Sequence, residues 1–166
     1  MSLKPLSFCR VAGAAALLAL AGCSSQVVPV AEIGLRNPTA TLAGTTRFNV
    51  GDFAGEWVTV RCLGQCAPSV RYVVATDGVF VRETSTARTP YTQSAPGILR
   101  EMGGDGILVV MWVDEGFRTA AVGDADGRWA AILDRRATSS PDRIRAAEEI
   151  LDFNGWDVSR IAPVPK

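Results

Sequence analysis

The feature that most constrains the fold is a series of short runs rich in β-branched and aromatic residues between Gly55 and Asp134. Turns separate these runs, and each turn contains a glycine that can accept a positive φ, as in Thr76-Asp77-Gly78. Runs at this spacing predict an up-and-down antiparallel sheet. The chain of 166 residues, 48% of them hydrophobic, suffices for one mostly β domain with a sizeable core. The predicted strands are seven, at residues 56–61, 70–75, 79–84, 91–102, 107–114, 117–123 and 128–134.

A single α-helix is predicted after the sheet. Ser140 suits its N-cap, Pro141 its first position and Asp142 its positively polarised first turn. Asn154-Gly155 is typical of a helix end. Its apolar side chains form one stripe, so we expect it to pack against the outside of the sheet. The stripe contains Ile144, Ala147, Ile150 and Leu151.

The two ends of the strand series carry a tryptophan and an arginine pair. Gly55-Glu56-Trp57 opens the first strand, and Arg135 and Arg136 follow the last one. In a closed barrel a large indole can plug the narrow end. A guanidinium laid on its face can hold it by cation–π contact and hydrogen bonds. Either arginine could serve, and its register in the motif favours Arg135.

This combination resembles the lipocalin family. The segments at 114–122, 132–135 and 154–159 also look like bacterial lipocalins, and they occur in the family's order. The resemblance implies an antiparallel up-and-down β-barrel of about seven or eight strands, with Gly55, Trp57 and Arg135 at its base and one C-terminal helix outside. Lipocalins usually have eight strands. The deficit lies between Tyr91 and Ile107, which implies a barrel that is smaller, partly open or closed by a long irregular segment.

The N-terminus has the pattern of an export signal. Lys4 and Arg10 precede an apolar run at 11–21, which is long enough for a signal h-region and too short to span a bilayer stably. The run ends in Leu20-Ala21-Gly22-Cys23, which resembles the lipobox of bacterial lipoproteins. An ordinary secretory signal with a chance cysteine is the alternative.

The lipobox resemblance implies a signal peptide at 1–22 and diacylglycerol on Cys23. Because Ser24 is not aspartate, it also implies export to the outer membrane, with the barrel facing the periplasm. Three acyl chains would anchor the chain firmly. The remaining residues then divide into a tether at 23–50, part of which could lie against the barrel, and a barrel with its helix at 51–166.

Cys62 and Cys66 remain as a pair in an oxidising compartment, which favours a disulfide. They can meet if the intervening residues turn sharply, and Gly64 permits such a turn. A zinc site would need further ligands, and the chain has no histidine. Redox catalysis normally uses the tighter Cys-x-x-Cys spacing.

The family resemblance implies a small hydrophobic or amphipathic ligand, such as a fatty acid or lysophospholipid, inside the barrel. Alternation from Trp57 places Thr59 and Arg61 on the inner side of the first strand. Arg61 could then pair with a ligand carboxylate or phosphate at the far end, or be a solvated rim residue. The other candidate lining residues are Tyr72, Phe80, Tyr91, Met111 and Trp112.

Other functions find little support in the chain. Without histidine it lacks the commonest general base and metal ligand, and we expect no enzyme, cofactor or metal site. Its net charge of zero does not resemble a nucleic-acid surface. The competing hypothesis is a small β-barrel lipoprotein that inhibits proteases or lysozyme, or assists envelope assembly, through surface loops. That hypothesis gains if large side chains from 70–84 and 107–114 fill the barrel.

Overall fold

The computed structural model describes residues 34–165. The predicted signal peptide and Cys23 lie outside these residues. The elements, in chain order, are α1 (Val50–Phe53), β1 (Gly55–Leu63), β2 (Ser69–Val74), β3 (Phe80–Glu83), β4 (Arg88–Ala95), β5 (Ile98–Glu101), β6 (Ile107–Val113), β7 (Thr119–Asp124), β8 (Ala130–Asp134), α2 (Pro141–Phe153) and β9 (Ala162–Pro163).

Strands β1 to β8 form a closed antiparallel barrel. Each strand pairs with the next along the chain, and β8 pairs with β1, for example Thr59 with Leu133. The short β9 extends the sheet outside the barrel through Arg61 and Cys62. Closure leaves none of the eight barrel strands with a free edge along its whole length. The predicted mostly β, lipocalin-like architecture is confirmed.

The barrel has eight strands, within the predicted seven or eight, but the assignment of residues 91–102 to one strand is wrong, because this run forms two strands. Strands β4 and β5 are joined through Pro96 and Gly97, and Gly97 has a φ of 69°. Proline has no N–H for a strand ladder, and this backbone conformation favours glycine. The additional strand therefore comes from the hairpin of β4 and β5, in the region where the strand deficit was predicted. The barrel has the usual eight strands.

Helix α2 packs on the outside of the barrel, as predicted. Its Ile144, Ala147 and Leu151 join a buried cluster with outward-facing residues of β6, β7 and β8. Ser140 occupies the N-cap position but makes no capping hydrogen bond with its side chain. Within residues 34–165 no helix has the length and apolar character needed to cross a bilayer.

Part of the predicted tether lies against the barrel domain. Thr45 donates its backbone N–H to the Val110 carbonyl at 2.8 Å, and Ala43 donates to the Asn154 side chain at 3.0 Å. Phe48 is buried in the barrel's inner cluster. The segment from residue 34 to α1 therefore belongs to the folded domain.

Candidate functional site

One end of the barrel, the base, is closed by Trp57 and Arg135. The Arg135 guanidinium carbon lies 3.8 Å from the centroid of the buried Trp57 ring. Arg135 also donates hydrogen bonds of 2.9 Å to the carbonyls of Asp52, Ala54 and Glu56. Burial lowers the pKa of Arg135.

Gly55 completes the base. Its φ is 104°, and a Cβ there would lie 3.1 Å from the Arg135 guanidinium, so glycine is favoured on both counts. The neighbouring Arg136 is exposed and uses its backbone N–H to contact Asp134. The structure therefore brings together Gly55, Trp57 and Arg135, and Arg135 is the arginine that stacks on the indole.

Aromatic side chains fill the half of the barrel next to the base. The ring centroid of Phe53 lies 4.8 Å from that of Trp57 and 5.0 Å from that of Tyr72. Tyr72 stacks on Phe80 with the two ring centroids 5.2 Å apart. Phe48 covers Phe53 at 5.3 Å. Dense packing of this kind leaves little room for a ligand in the base half.

The opposite end, the mouth, is formed by the loops at 64–68, 84–87, 102–106 and 125–129, because connections between successive antiparallel strands alternate between the two ends. Here the inner wall includes polar side chains. Arg82 points inward from β3, and its guanidinium carbon lies 5.1 Å from the centroid of the Trp129 ring. Trp129 stands in the 125–129 loop and packs on the inner cluster.

Two buried polar atoms near the mouth lack partners. The Tyr72 hydroxyl and the Arg82 Nε have no hydrogen-bond partner among residues 34–165. They are neighbours, since Arg82 acts on the pKa of Tyr72, but their contact falls short of hydrogen-bond geometry. Burial raises the pKa of Tyr72 to about 12, and Arg82 offsets part of this effect. Burial also raises the pKa of Tyr91, with contributions of the same sign from Glu101 and Asp124.

Asp124 orients the loop that carries Trp129. Its carboxylate accepts the backbone N–H of Arg128 at 2.7 Å and that of Trp129 at 3.1 Å. The Arg128 Nε donates to the same carboxylate at 2.6 Å. These hydrogen bonds to Asp124 fix the loop. Arg82 contacts the Trp129 ring and does not pair with Asp124.

The predicted lining residues divide between the two faces of the barrel. Tyr72, Phe80 and Tyr91 face inward, although all are buried in the packed cluster. Met111 and Trp112 belong to the outer cluster beneath α2, so their placement in the lining is wrong. Alternation from the inward-facing Val110 places Met111 outside, and a bulge between Val110 and Trp112 puts Trp112 on the same outer face.

Arg61 is outside the barrel, so its predicted inward orientation is also wrong. A bulge between Thr59 and Arg61 shifts the register of β1, and Thr59 remains buried. The Arg61 Nε lies 3.7 Å from the Glu148 carboxylate on α2. The two line an external groove with a volume of ≈ 640 Å³ between β1, α2 and the C-terminal residues.

The predicted disulfide is confirmed. Cys62 and Cys66 are bonded, with Cα atoms 5.9 Å apart, across the turn at the end of β1. Gly64 has a φ of 84° within this turn. Cys66 packs against the inner cluster, so the bond holds the 64–68 loop to the mouth.

The prediction missed Arg82, Trp129 and Phe48. Arg82 follows Phe80 by two positions in the same strand, so strict alternation from Phe80 would have placed it inside. Trp129 precedes β8 in a turn, where alternation gives no orientation. Among the described residues, no group of three His, Cys, Asp or Glu side chains is arranged to hold a metal ion.

Solved structures share this fold at low sequence identity, whereas no protein-family model and no curated protein matches the chain. The cockroach allergen Per a 4 has a TM-score of 0.56 at 11% identity over 77% of this chain and 95% of its own. Apocrustacyanin C1 has a TM-score of 0.53 at 14% identity, over 71% of this chain and 79% of its own. The siderocalin Ex-FABP has a TM-score of 0.51 at 15% identity, over 69% of this chain and 95% of its own. All three are lipocalins, and the likeness shows a lipocalin fold.

Proposed function

We propose that this protein is a lipid-anchored lipocalin of the bacterial envelope that binds a small amphipathic ligand in the mouth half of its barrel. A fatty acid or lysophospholipid is the ligand class suggested by the sequence. The protein would hold or carry such molecules at the outer membrane. No catalytic step is part of this proposal.

One observation carries the binding proposal, which is the polar pair near the mouth. The Tyr72 hydroxyl and the Arg82 Nε are buried without hydrogen-bond partners inside an otherwise apolar barrel. Buried polar groups are nearly always paired, so an unpaired set inside a barrel points to a ligand. The Arg82 side chain lies on Trp129, whose loop lies at the entrance.

The aromatic filling of the base half limits how much of a ligand can enter. Each buried CH₂ contributes about 0.8 kcal/mol, so a ligand confined to the mouth half gains from only part of a long chain. We therefore expect affinity to rise with chain length and then to level off. A bulky, rigid ligand would require the Phe53, Trp57 and Tyr72 cluster to repack.

The location of the protein rests on the sequence. The apolar run at 11–21 and Leu20-Ala21-Gly22-Cys23 support a lipoprotein signal, and Ser24 supports the outer membrane. The Cys62–Cys66 disulfide is consistent with an oxidising compartment such as the periplasm. Palmitate labelling of the full chain and of Cys23→Ser tests the anchor, since label should be absent from the variant.

Binding is tested by native mass spectrometry after gentle extraction and by quenching with a brominated fatty acid. A retained acyl ligand would support the proposal. A ligand in the mouth should quench Trp129, so Trp129→Phe should remove most of the quenching, and Trp112→Phe on the outer face should not. The absence of both a retained ligand and any saturable quenching would reject the proposal.

A second function is favoured by the packing of the interior. Tyr72 and Phe80 from 70–84, and Leu108 and Val110 from 107–114, are buried in one cluster. A filled barrel suits a protein that acts through its loops, such as an inhibitor of lysozyme or of a protease. Stoichiometric inhibition of either enzyme by the purified chain, without fatty acid binding, would support this alternative.

A further inference from the structure

Arg82 stands out among the inward-facing residues because its charge has no counterion. It takes part in no ion pair within residues 34–165, where carboxylates pair with other arginines such as Arg88, Arg118 and Arg128. Its guanidinium lies over the ring face of Trp129 and beside Tyr72, and both of these side chains are uncharged at neutral pH. A guanidinium that points into a barrel and is held by a π face is available to an anion.

The Tyr72 hydroxyl supplies a second donor beside it. The Tyr72 side chain is 1% exposed, and its hydroxyl has no partner in the described part of the chain. Like any tyrosine hydroxyl, it is protonated at physiological pH and can donate a hydrogen bond. An arginine and a tyrosine hydroxyl together offer donors that match the oxygen atoms of a carboxylate or phosphate.

The two carboxylates that act on the neighbouring Tyr91 do not pair with Arg82. Asp124 accepts hydrogen bonds from the 125–129 loop and from Arg128. Glu101 acts on Tyr91 through its charge and lies against Gly104 and Gly106 of the 102–106 loop. Neither carboxylate lies within the 4.0 Å of an ion pair with Arg82. These two groups would repel an anion at longer range, so Arg82 must provide the attraction.

We propose that Arg82 and Tyr72 recognise the anionic head group of the ligand, a carboxylate or a phosphate monoester. This inference rests on the proposed binding function and specifies the chemistry of that site. The head group accepts hydrogen bonds from the Arg82 guanidinium and the Tyr72 hydroxyl. The apolar part of the ligand packs on the neighbouring apolar and aromatic residues.

Calorimetric titration with three ligands of equal chain length tests the inference. Decanoate, decyl phosphate and decanol are titrated, below micelle formation, into the full chain carrying Cys23→Ser, so that no protein-bound acyl chain competes. We expect at least one anion to bind about tenfold or more tightly than decanol, as charge-assisted hydrogen bonds require. Preference for one anion identifies the head group as carboxylate or phosphate.

Four variants locate the recognition. Arg82→Gln should weaken anion binding about tenfold or more and should affect decanol binding much less, because decanol carries no charge. Arg82→Lys, which keeps the charge, should retain part of the anion affinity. It replaces Arg82→Gln as the test variant if Arg82→Gln folds poorly. Tyr72→Phe should weaken anion binding by a smaller factor. Arg71→Gln is the matched control, since Arg71 is exposed on β2 and pairs with Glu56 at 3.4 Å.

The outcomes separate the two proposals. Equal affinity for decanol and both anions, or anion binding unchanged in Arg82→Gln and Tyr72→Phe, would overturn anion recognition and leave ligand binding intact. Failure of all three ligands to bind would instead overturn the proposed function itself. Loss of anion affinity in Arg71→Gln to the same degree as in Arg82→Gln would show a general charge effect and would also overturn the inference.

Discussion

Arg135 stabilises the base of the barrel through several contacts made by one side chain. Its guanidinium stacks on Trp57 and donates to three backbone carbonyls at 2.9 Å. Because these carbonyls belong to α1, to the residue after it and to the start of β1, Arg135 links the first part of the barrel chain to the end of β8. The arginine is therefore a structural clamp, and its position is independent of what the mouth binds.

Arg135→Ala should lower the free energy of unfolding by about 2–4 kcal/mol, because it removes a cation–π contact and several charge-assisted hydrogen bonds. Arg136→Ala is the matched control, since Arg136 is adjacent and exposed. Its effect should stay within about 0.5 kcal/mol. Urea denaturation followed by tryptophan fluorescence measures both, and equal losses in the two variants would contradict the clamp.

Tyr72 connects burial to pH dependence. Its pKa is raised from 10.0 to about 12, so the folded protein binds a proton that the unfolded chain releases near pH 10. The associated stability is fully present below pH 10 and is lost as the pH rises toward 12. The burial of the Tyr72 hydroxyl therefore also lowers the stability of the folded protein at strongly alkaline pH.

Absorbance at 295 nm should report this shift, because the chain has 2 tyrosines. In Tyr91→Phe, the remaining tyrosine of the folded protein should ionise near pH 12, while the same variant in denaturant should ionise near pH 10. A folded-state transition at pH 10 would contradict the buried, unpaired position of Tyr72. Circular dichroism at each pH establishes that the protein is still folded.

At the level of elements, hydrophobic periodicity and turn residues were enough to identify most strands and the outer helix. Pro141 and Asn154-Gly155 located α2 closely, because local capping and backbone preferences act at helix ends. The run at 91–102 was misread since Pro96-Gly97 interrupts a sequence that otherwise has strand composition. Local residue preferences were thus sufficient to identify most elements. The boundary between β4 and β5, however, depends on the single turn at Pro96-Gly97.

The orientation of individual side chains was harder to predict. Each β-bulge adds a residue to one strand, so every residue beyond it points to the opposite face from the one that alternation assigns. This effect moved Arg61 and Trp112 to the outside. Bulges have no reliable residue signature, so the site residues had to come from the three-dimensional structure. The Trp57 and Arg135 assignment succeeded because both lie at strand ends, away from the bulges.

Helix α2 is joined to the barrel by a buried polar network. The Thr119 hydroxyl donates to Asp134 at 2.6 Å, and the Arg143 Nε donates to Thr119 at 2.6 Å. Arg143 also lies 3.3 Å from the Asp134 carboxylate, which is 1% exposed. Arg143 thus neutralises a buried charge while Ser140 leaves the helix start without a side-chain cap.

Arg143→Ala should destabilise the protein by about 2–4 kcal/mol, because it leaves the Asp134 carboxylate buried with less compensation. Arg145→Ala is the control on the same helix, where an exposed pair with Asp142 at 2.8 Å should contribute less than about 0.5 kcal/mol. Thermal unfolding of the two variants gives the comparison. Restoration of stability by Asp134→Asn in the Arg143→Ala background would support the charge mechanism, and no recovery would argue for lost packing.

For the whole molecule, the two ends of the barrel have different roles. The base is held by Arg135 and filled by aromatic rings, and the mouth carries the disulfide, Trp129 and the unpaired polar groups. The described chain also begins beside the mouth. The Leu35 side chain lies close to Gly64, and the Arg36 Cβ lies close to Gly127, in two of the mouth loops.

This position matters if Cys23 carries the proposed lipid anchor. Ten residues lie between Cys23 and Gly34, so the two Cα atoms are at most about 40 Å apart. Because the chain joins the domain at the mouth, the mouth should lie closer to the bilayer on average than the base does. A lipid-binding site at that end would then be near its source of ligand.

Fluorescent labels at the two ends test this orientation in vesicles that contain nitroxide lipids. Asp105→Cys places a label in the 102–106 loop at the mouth, and Glu115→Cys places one in the 114–118 loop at the base; both positions are exposed. The acylated protein should show stronger quenching of the mouth label, because nitroxide quenching falls steeply with distance. Cys23→Ser should abolish quenching at both positions, since it removes the anchor. Equal quenching at the two ends, or stronger quenching at the base, would contradict the orientation even if the anchor itself is established by palmitate labelling.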